Sequence, residues 1–442
     1  MSAAPLSQID AASLRRRLAM RAQGRVSGVV GLVVEGSCPA AAVGDLVEIR
    51  RAHGGIVTGE VVGLRDGRAL VIPLGDVRGI AIGDGLIHLG VAAEIACGDG
   101  LLGRAIDARG LPVDDGPAVR GPTHARPLYC DPPAALRRAH IAEPMPVGIR
   151  AIDGPLTLGR GQRIGIMAGA GVGKSRLLAD LVANAKADIV VVALIGERGR
   201  EVGEFLERTL TPAARAKSVA VVATSDQSPL LRMRGAFVAT AVAEHFCSRG
   251  ANVLLVMDSL TRFAMAQREL GLSVGEPPAT RGYTPSVFAL LPRLLERAGR
   301  FAGAGSITGV YTVLVEGDDL SDPVGDAARS ILDGHIVLSR ALASRGHFPA
   351  IDVLQSVSRV VDAVVPRERA LAAQGLRRLL ADLAEAEELV ALGAHVPGAV
   401  PTLDRALARK PDALEFLRQA SGSPTAFDEI GKRMAALAEV AS

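Results

Sequence analysis

Ala168-Gly169-Ala170-Gly171-Val172-Gly173-Lys174-Ser175 follows the apolar run Ile164-Gly165-Ile166-Met167 and precedes Arg176-Leu177-Leu178-Ala179-Asp180-Leu181-Val182. The apolar run reads as a buried strand, and the residues after the glycines have helical spacing. Strand, glycine loop and helix in this order are the context of a phosphate-binding loop. Gly169, Ala170, Gly171, Val172 and Gly173 would turn backbone N–H groups toward a polyphosphate, and the helix N-terminus adds partial positive charge. Lys174 would reach the β- and γ-phosphates, and the Ser175 hydroxyl would sit on Mg²⁺. The strict pattern begins with glycine, and here that position is Ala168. The bland alternative is a glycine-rich turn with a chance Lys-Ser, against which the flanking strand and helix both speak.

The 442 residues exceed one ordinary core, so two or three domains are expected. Lys plus Arg is 50 against 47 for Asp plus Glu, which leaves a formal charge of +3 and no global case for nucleic acid or membrane as partner. Aromatic residues make up 3% with no Trp, which speaks against a base-stacking surface for single strands. Cys38, Cys97, Cys130 and Cys247 are spaced as neither a zinc site nor a redox pair and read as reduced thiols. The chain opens without a secretory leader and holds no apolar run of transmembrane length, so a cytoplasmic protein is expected.

Residues 7–21 read as a short helix, with Ser7 and Asp10 as a capping box and Ala11, Leu14 and Leu18 on one face. Arg15, Arg16 and Arg17 form either a solvated face or a docking surface. From residue 24 the character changes to short β-branched runs at 29–34, 46–49, 56–62 and 69–72, separated by turn signals such as Asp66-Gly67. This predicts a small β-barrel. Buried strand candidates then recur at 164–167, 189–195, 219–223, 253–257 and 308–315, mostly with helical stretches between them. Such alternation predicts an α/β domain with a mainly parallel sheet. Beyond Pro366, Leu376, Leu379, Leu380 and Leu383 repeat at helical spacing, so the tail should be helical. The expected division is an N-terminal segment at 1–23, a barrel at 24–95, an ATPase-type domain at 96–365 and a helical domain at 366–442.

Three further stretches fit an ATP site. Val253-Leu254-Leu255-Val256-Met257-Asp258 is an apolar strand ending in an acid that can hold Mg²⁺ through water. The strand at 189–195 ends in Gly196-Glu197-Arg198-Gly199-Arg200-Glu201. Glu197 is placed there to orient and deprotonate an attacking water; the alternative is an ion pair with Arg198 or Arg200. In the third stretch, 348–359, Phe348 can stack on adenine or belong to the core. Arg359 can serve the γ-phosphate or lie on the surface.

The whole chain resembles the catalytic ATPases related to the rotary ATP synthase β subunit, within the RecA-like P-loop class. Within them it is most similar to the flagellum-specific ATPases of the flagellar type III export apparatus. The segment 349–358 matches the signature of the rotary α/β superfamily, and Gly196-Glu197-Arg198-Gly199-Arg200-Glu201-Val202 matches the catalytic-glutamate segment of the export branch. Gly275-Glu276-Pro277-Pro278-Ala279-Thr280-Arg281-Gly282-Tyr283, Leu290-Leu291-Pro292-Arg293-Leu294-Leu295-Glu296-Arg297 and Ala168 itself are typical of that branch.

The resemblance implies that Lys174 and Ser175 bind phosphate and Mg²⁺, that Glu197 is the catalytic base and that Asp258 is the second acid. It implies that Arg198 and Arg262 lie near the phosphates, that Phe348 stacks on adenine, and that Arg359 is an arginine finger serving the neighbouring subunit. A barrel, a RecA-like core and a helical C-terminal domain in a homohexameric ring follow from it. So do a stator-like regulator at the N-terminal segment, export chaperones and substrates, and an export gate at the inner membrane to which the ring is peripheral. The nearest rival is the injectisome ATPase of virulence-type secretion. Ser225-Asp226-Gln227-Ser228-Pro229 with Arg234-Gly235, Met265-Ala266-Gln267-Arg268-Glu269 and Val315-Glu316-Gly317-Asp318-Asp319 look flagellar. A non-catalytic ring subunit is disfavoured by Glu197, and a nucleic-acid translocase by the low aromatic content and balanced charge.

Overall fold

The computed structural model describes residues 23–117, 119, 121–315 and 322–439. The expected helix at 7–21 and most of the segment 315–319 lie outside them.

The first part is a closed barrel of β1 (Gln23–Val30), β2 (Val33–Gly36), β3 (Asp45–Arg50), β4 (Ile56–Arg65), β5 (Arg68–Pro73) and β6 (Gly85–Ala92), in the order β1-β2-β5-β4-β3-β6. Alternation points Val34, Val47, Ile49, Val61, Val71 and Leu86 inward as its core. The run at 29–34, read as one strand, is a hairpin: Val30 pairs with Val33 across Gly31, which takes φ +58°. Asp66 and Gly67, at φ +50° and +72°, make the β4–β5 turn as their residue types predict.

After the small sheet of β7 (Glu94–Cys97) and β9 (His124–Pro127), the chain builds the large one. Its strands are β8 (Ala105–Asp107), β10 (Arg163–Ala168), β11 (Ile189–Ile195), β12 (Ser218–Ala223), β13 (Asn252–Asp258), β14 (Gly299–Arg300), β15 (Ser306–Leu314), β16 (Gly334–Leu338) and β17 (Ile351–Ser358). The order is β17-β16-β10-β15-β13-β11-β12-β8. All pairings are parallel except β16–β17 and the β14–β15 side branch. The central strands are covered on both faces, which is why they read as continuous apolar runs.

The longer helices are α1 (Lys174–Asn184), α2 (Pro229–Cys247), α3 (Leu260–Ser273), α4 (Pro285–Leu295), α5 (Pro323–Ile331), α6 (Arg367–Ala391), α7 (Pro401–Leu417) and α8 (Phe427–Glu439). Ser228 and Ser259 cap α2 and α3 by accepting the N–H groups of Leu231 and Arg262. The last three helices pack together, with Leu376, Leu379 and Leu383 buried as their spacing predicts. Arg150 ties this bundle to the sheet domain, its Nε–H donating to Phe416 O at 2.7 Å. No described helix is long and apolar enough to cross a membrane.

The barrel is joined to the sheet domain by a buried ion pair. Arg234 on α2 is 3% exposed; its Nη1 meets Glu60 Oε2 at 2.7 Å and its Nε–H donates to Ala108 O at 2.9 Å. The Tyr129 hydroxyl donates to the other Glu60 oxygen at 2.6 Å. Removing one partner of such a pair leaves an uncompensated buried charge, at a cost of about 3–5 kcal/mol. Arg234→Met should therefore lower the melting temperature clearly in scanning calorimetry, and adding Glu60→Gln should recover part of the loss. A drop under about 2 °C for the single variant would remove the pair from the barrel's attachment.

Candidate active site

The parallel register brings the strand ends together. Ala168 lies opposite Leu314, Leu194 opposite Asp258, and Met257 opposite Tyr311. The loop after β10 and the first turn of α1 therefore face the carboxyl ends of β11 and β13, the usual ligand position in such sheets.

Gly173 caps α1 in the left-handed region, at φ +91°, and no side chain caps the first turn. The free N–H groups of that turn suit an anion. Lys174 Nζ lies 2.5 Å from Asp258 Oδ1 and 3.7 Å from Glu197 Oε1. All three side chains are largely buried, at 12%, 8% and 14% exposure. Thr312 on β15 donates its hydroxyl to Asp258 Oδ1 at 2.7 Å, which orients that carboxylate.

Glu197 is placed by Gly196, whose φ of +70° ends β11 in a sharp turn. A Cβ at Gly196 would lie 2.8 Å from Arg262 Cβ, so a side chain would also collide with α3. Burial first, and then the negative charge of Asp258, push the Glu197 carboxyl up to about 7 against the pull of Lys174. A hydrogen bond with Glu201 adds to the rise.

Two cavities flank α1. One, of about 580 Å³, is lined by Ser175, Arg176, Glu197, Glu201, Phe205 and Asp258, among others. The other, of about 390 Å³, has Val172, Gly173, Leu338, Phe348 and Ala420 in its wall. Phe348 is 39% exposed, and a Cβ on Gly173 would lie 3.4 Å from its ring. The ring thus stands beside the phosphate loop and belongs to the cavity wall rather than the core.

The remaining candidates are less gathered. Arg262 has a buried Nε without a hydrogen-bond partner among the described residues. Arg198 points to solvent, 78% exposed, with Glu201 at 3.6 Å, so the structure does not bring its guanidinium to Lys174. Arg359 follows the edge strand β17 and is exposed; its backbone N–H donates to Asp333 O, and among the described residues its guanidinium has no hydrogen bond or ion pair.

The donor set fits a polyphosphate with a hard divalent cation: uncapped helix N–H groups and an ammonium for the anion, a serine hydroxyl and a carboxylate for the cation. Thr312 had no signal in the sequence beyond a threonine in a buried strand. Glu201 stood inside the quoted glutamate segment without a role.

Comparisons with known proteins bear on the family and the fold. Residues 148–358 match the ATP synthase alpha/beta family, nucleotide-binding domain, and residues 25–90 match the beta-barrel domain of the same family. Residues 365–436 match the T3SS EscN ATPase C-terminal domain. The flagellum-specific ATP synthase of Bacillus subtilis is 46% identical over 92% of this chain and 93% of its own length. The type 3 secretion system ATPase of Pseudomonas savastanoi pv. phaseolicola is 48% identical over 95% and 94%. Relatives from both machines thus match at one level, and overall identity does not divide flagellar from injectisome. Among solved structures, the assembled ATPase EscN of the enteropathogenic E. coli type III secretion system superposes with a TM-score of 0.89 at 43% identity, over 95% of this chain and all of that one. In complex with its central stalk EscO the TM-score is 0.86 at 42% identity, over the same shares of the two chains. A barrel, a P-loop sheet domain and a C-terminal bundle, matched over more than nine-tenths of the chain by these relatives, make the chain a member of the type III secretion and flagellar export ATPases of the ATP synthase alpha/beta family.

Proposed function

We propose that the chain hydrolyses ATP as a subunit of a homohexameric ring in a type III export apparatus, the flagellar one, and couples hydrolysis to delivery or unfolding of export substrates. The observation that carries the catalytic reading is one lysine, at the head of a phosphate-loop helix, within 4 Å of two strand-end carboxylates. The segments at 225–235 and 265–269 favour the flagellar machine. EscN's complex with a stalk protein supports a central stalk as a partner of the ring. A stator-like regulator at residues 1–23, chaperones with their substrates, and the export gate complete the proposed partners, with the ring cytoplasmic and peripheral to the inner membrane. Deleting the gene and inspecting for flagella and for virulence-type secretion tests the machine.

In the proposed cycle, Gly169 to Gly173 and Lys174 hold the phosphates, and Phe348 stacks on the base. Mg²⁺, held by Ser175 and through water by Asp258, would neutralise charge on the phosphate oxygens. Glu197 orients the attacking water and takes its proton. Arg262 faces the phosphates from α3, while Arg198 reaches them only by leaving Glu201. Arg359 serves the γ-phosphate of the adjoining subunit.

The roles of Glu197, Phe348 and Arg359 each have a measurable consequence. Glu197 acts as the carboxylate, so kcat/KM should fall as the pH drops below about 7 and level off above it. Glu197→Gln should bind a fluorescent ATP analogue normally and hydrolyse ATP at background rate; near-parental turnover would take the base role from Glu197. Phe348→Ala should raise KM for ATP about ten- to hundredfold with a smaller change in kcat, because stacking is kept equally in ground and transition states. A lowered melting temperature with parental KM would return Phe348 to a packing role. Arg359→Ala should keep nucleotide affinity and lose about 10³-fold or more in turnover. Mixed rings of Arg359→Ala and Lys174→Ala chains, each nearly inactive alone, should regain hydrolysis at interfaces pairing the intact halves. Mixed rings shown to form but remaining inactive would sink the cross-subunit finger.

A further inference from the structure

Asp180 lies on α1, less than two turns beyond Lys174, and borders both cavities. It sits in the middle of the helix, where its side chain caps nothing in its own helix and aspartate is a poor helix former. Its partners lie far along the chain. Asp180 Oδ1 accepts the Ser421 hydroxyl at 2.9 Å and the Gly422 N–H at 2.9 Å. Both belong to the loop between α7 and α8 of the C-terminal bundle.

That loop is also fastened to the other wall of the Phe348 cavity. The Gln419 N–H donates to Phe348 O at 2.9 Å. The Gln419 side chain is fully committed: Oε1 accepts the Arg150 N–H at 2.8 Å, and Nε2 donates to Gly148 O and Ser423 O, each at 2.7 Å. Gln419 therefore has no side-chain donor left for a base. It holds Phe348 and the loop together as one body, and Ala420 and Ser421 complete the cavity wall. Among the described residues, the two bonds to Asp180 are the hydrogen bonds that join this body to the phosphate-loop helix.

A nucleotide spans both parts, its phosphates on α1 and its base against Phe348. A base wall free to shift against α1 must be ordered at each binding event, which weakens affinity. We infer that Asp180 is a positioning residue that fixes the base wall to the phosphate-loop helix, and so ties the placement of the C-terminal bundle to nucleotide retention. This rests on the reading of the two cavities as one nucleotide site.

The test uses the full-length chain and a fluorescent ADP analogue. Asp180→Ala should raise Kd roughly three- to tenfold, with KM for ATP rising in step and kcat changing less. Asp180→Asn, whose amide oxygen still accepts both bonds, should stay within about twofold of the parent. Ser421→Ala, which loses one of the two, should fall between. The nucleotide-free melting temperature separates a merely structural aspartate: that role lowers it while leaving Kd of the folded variant unchanged. Parental Kd in folded Asp180→Ala overturns the inference. If that variant does not fold, parental Kd in Ser421→Ala overturns it instead. Absence of nucleotide binding in the parent protein is a different result, which refutes the nucleotide site itself.

Discussion

The site exists because parallel strands, buried on both faces, end at one level. With Ala168 beside Leu314, and Asp258 beside Leu194, the residues that follow the strands have no choice but to meet. Lys174, Glu197 and Asp258 are separated by 23 or more positions in the chain, yet their charged atoms fall within 4 Å of the shared ammonium. The apolar strands supply the alignment through burial and the ladder of backbone hydrogen bonds. The polar groups are placed on a frame that would form without them. A slip of one residue in β13 would turn Asp258 to the other face and separate it from both Thr312 and Lys174.

The attachments between domains use a different currency. The barrel meets the sheet domain through buried polar contacts, and the C-terminal bundle meets it through partly buried ones, as well as apolar packing. Glu60 with Arg234 and Tyr129 does so on one side; Arg150 and Gln419 do so on the other. Arg297, in a segment read as a lineage signature, is wholly buried and holds Glu244 through two contacts of 2.7 Å. Arg234 and Arg297, both in segments read as marks of lineage, are thus joints of the fold. Polar joints of this kind demand one geometry, because a misplaced partner leaves a buried charge alone.

Much of this was legible before the structure. Runs such as 189–195 and 253–258 announce buried strands because nothing in them needs water, and Asp66-Gly67 announces its turn because few other pairs tolerate that backbone. The meeting of Lys174, Glu197 and Asp258 was legible because motif and strand end coincide. β17 was not read as a strand, because its burial does not alternate: Leu354, Gln355 and Val357 are exposed on an edge. Val29 and Val34 looked like one strand because Gly31 between them carries no apolar signal. Thr312 and Asp180 escaped for another reason. Their meaning lies in partners 54 and 241 positions away, and local pattern carries no trace of such pairs.

The trio also explains its own electrostatics. With both acids ionised, one ammonium serves two carboxylates, and the cluster is net negative in a largely buried place. Burial raises the Glu197 carboxyl first, and the negative charge of Asp258 adds to the rise; Lys174 pulls the other way from 3.7 Å, and a second acid, Glu201, lies beside Glu197. Drawing Lys174 toward a polyphosphate removes the shared counter-charge from both acids at once. Two carboxylates so placed cannot both stay ionised without a substitute, so the arrangement calls for a cation beside Asp258 or a proton on Glu197. Under the proposed role of Glu197, the first leaves its carboxylate able to take a proton from water, and the second disables it.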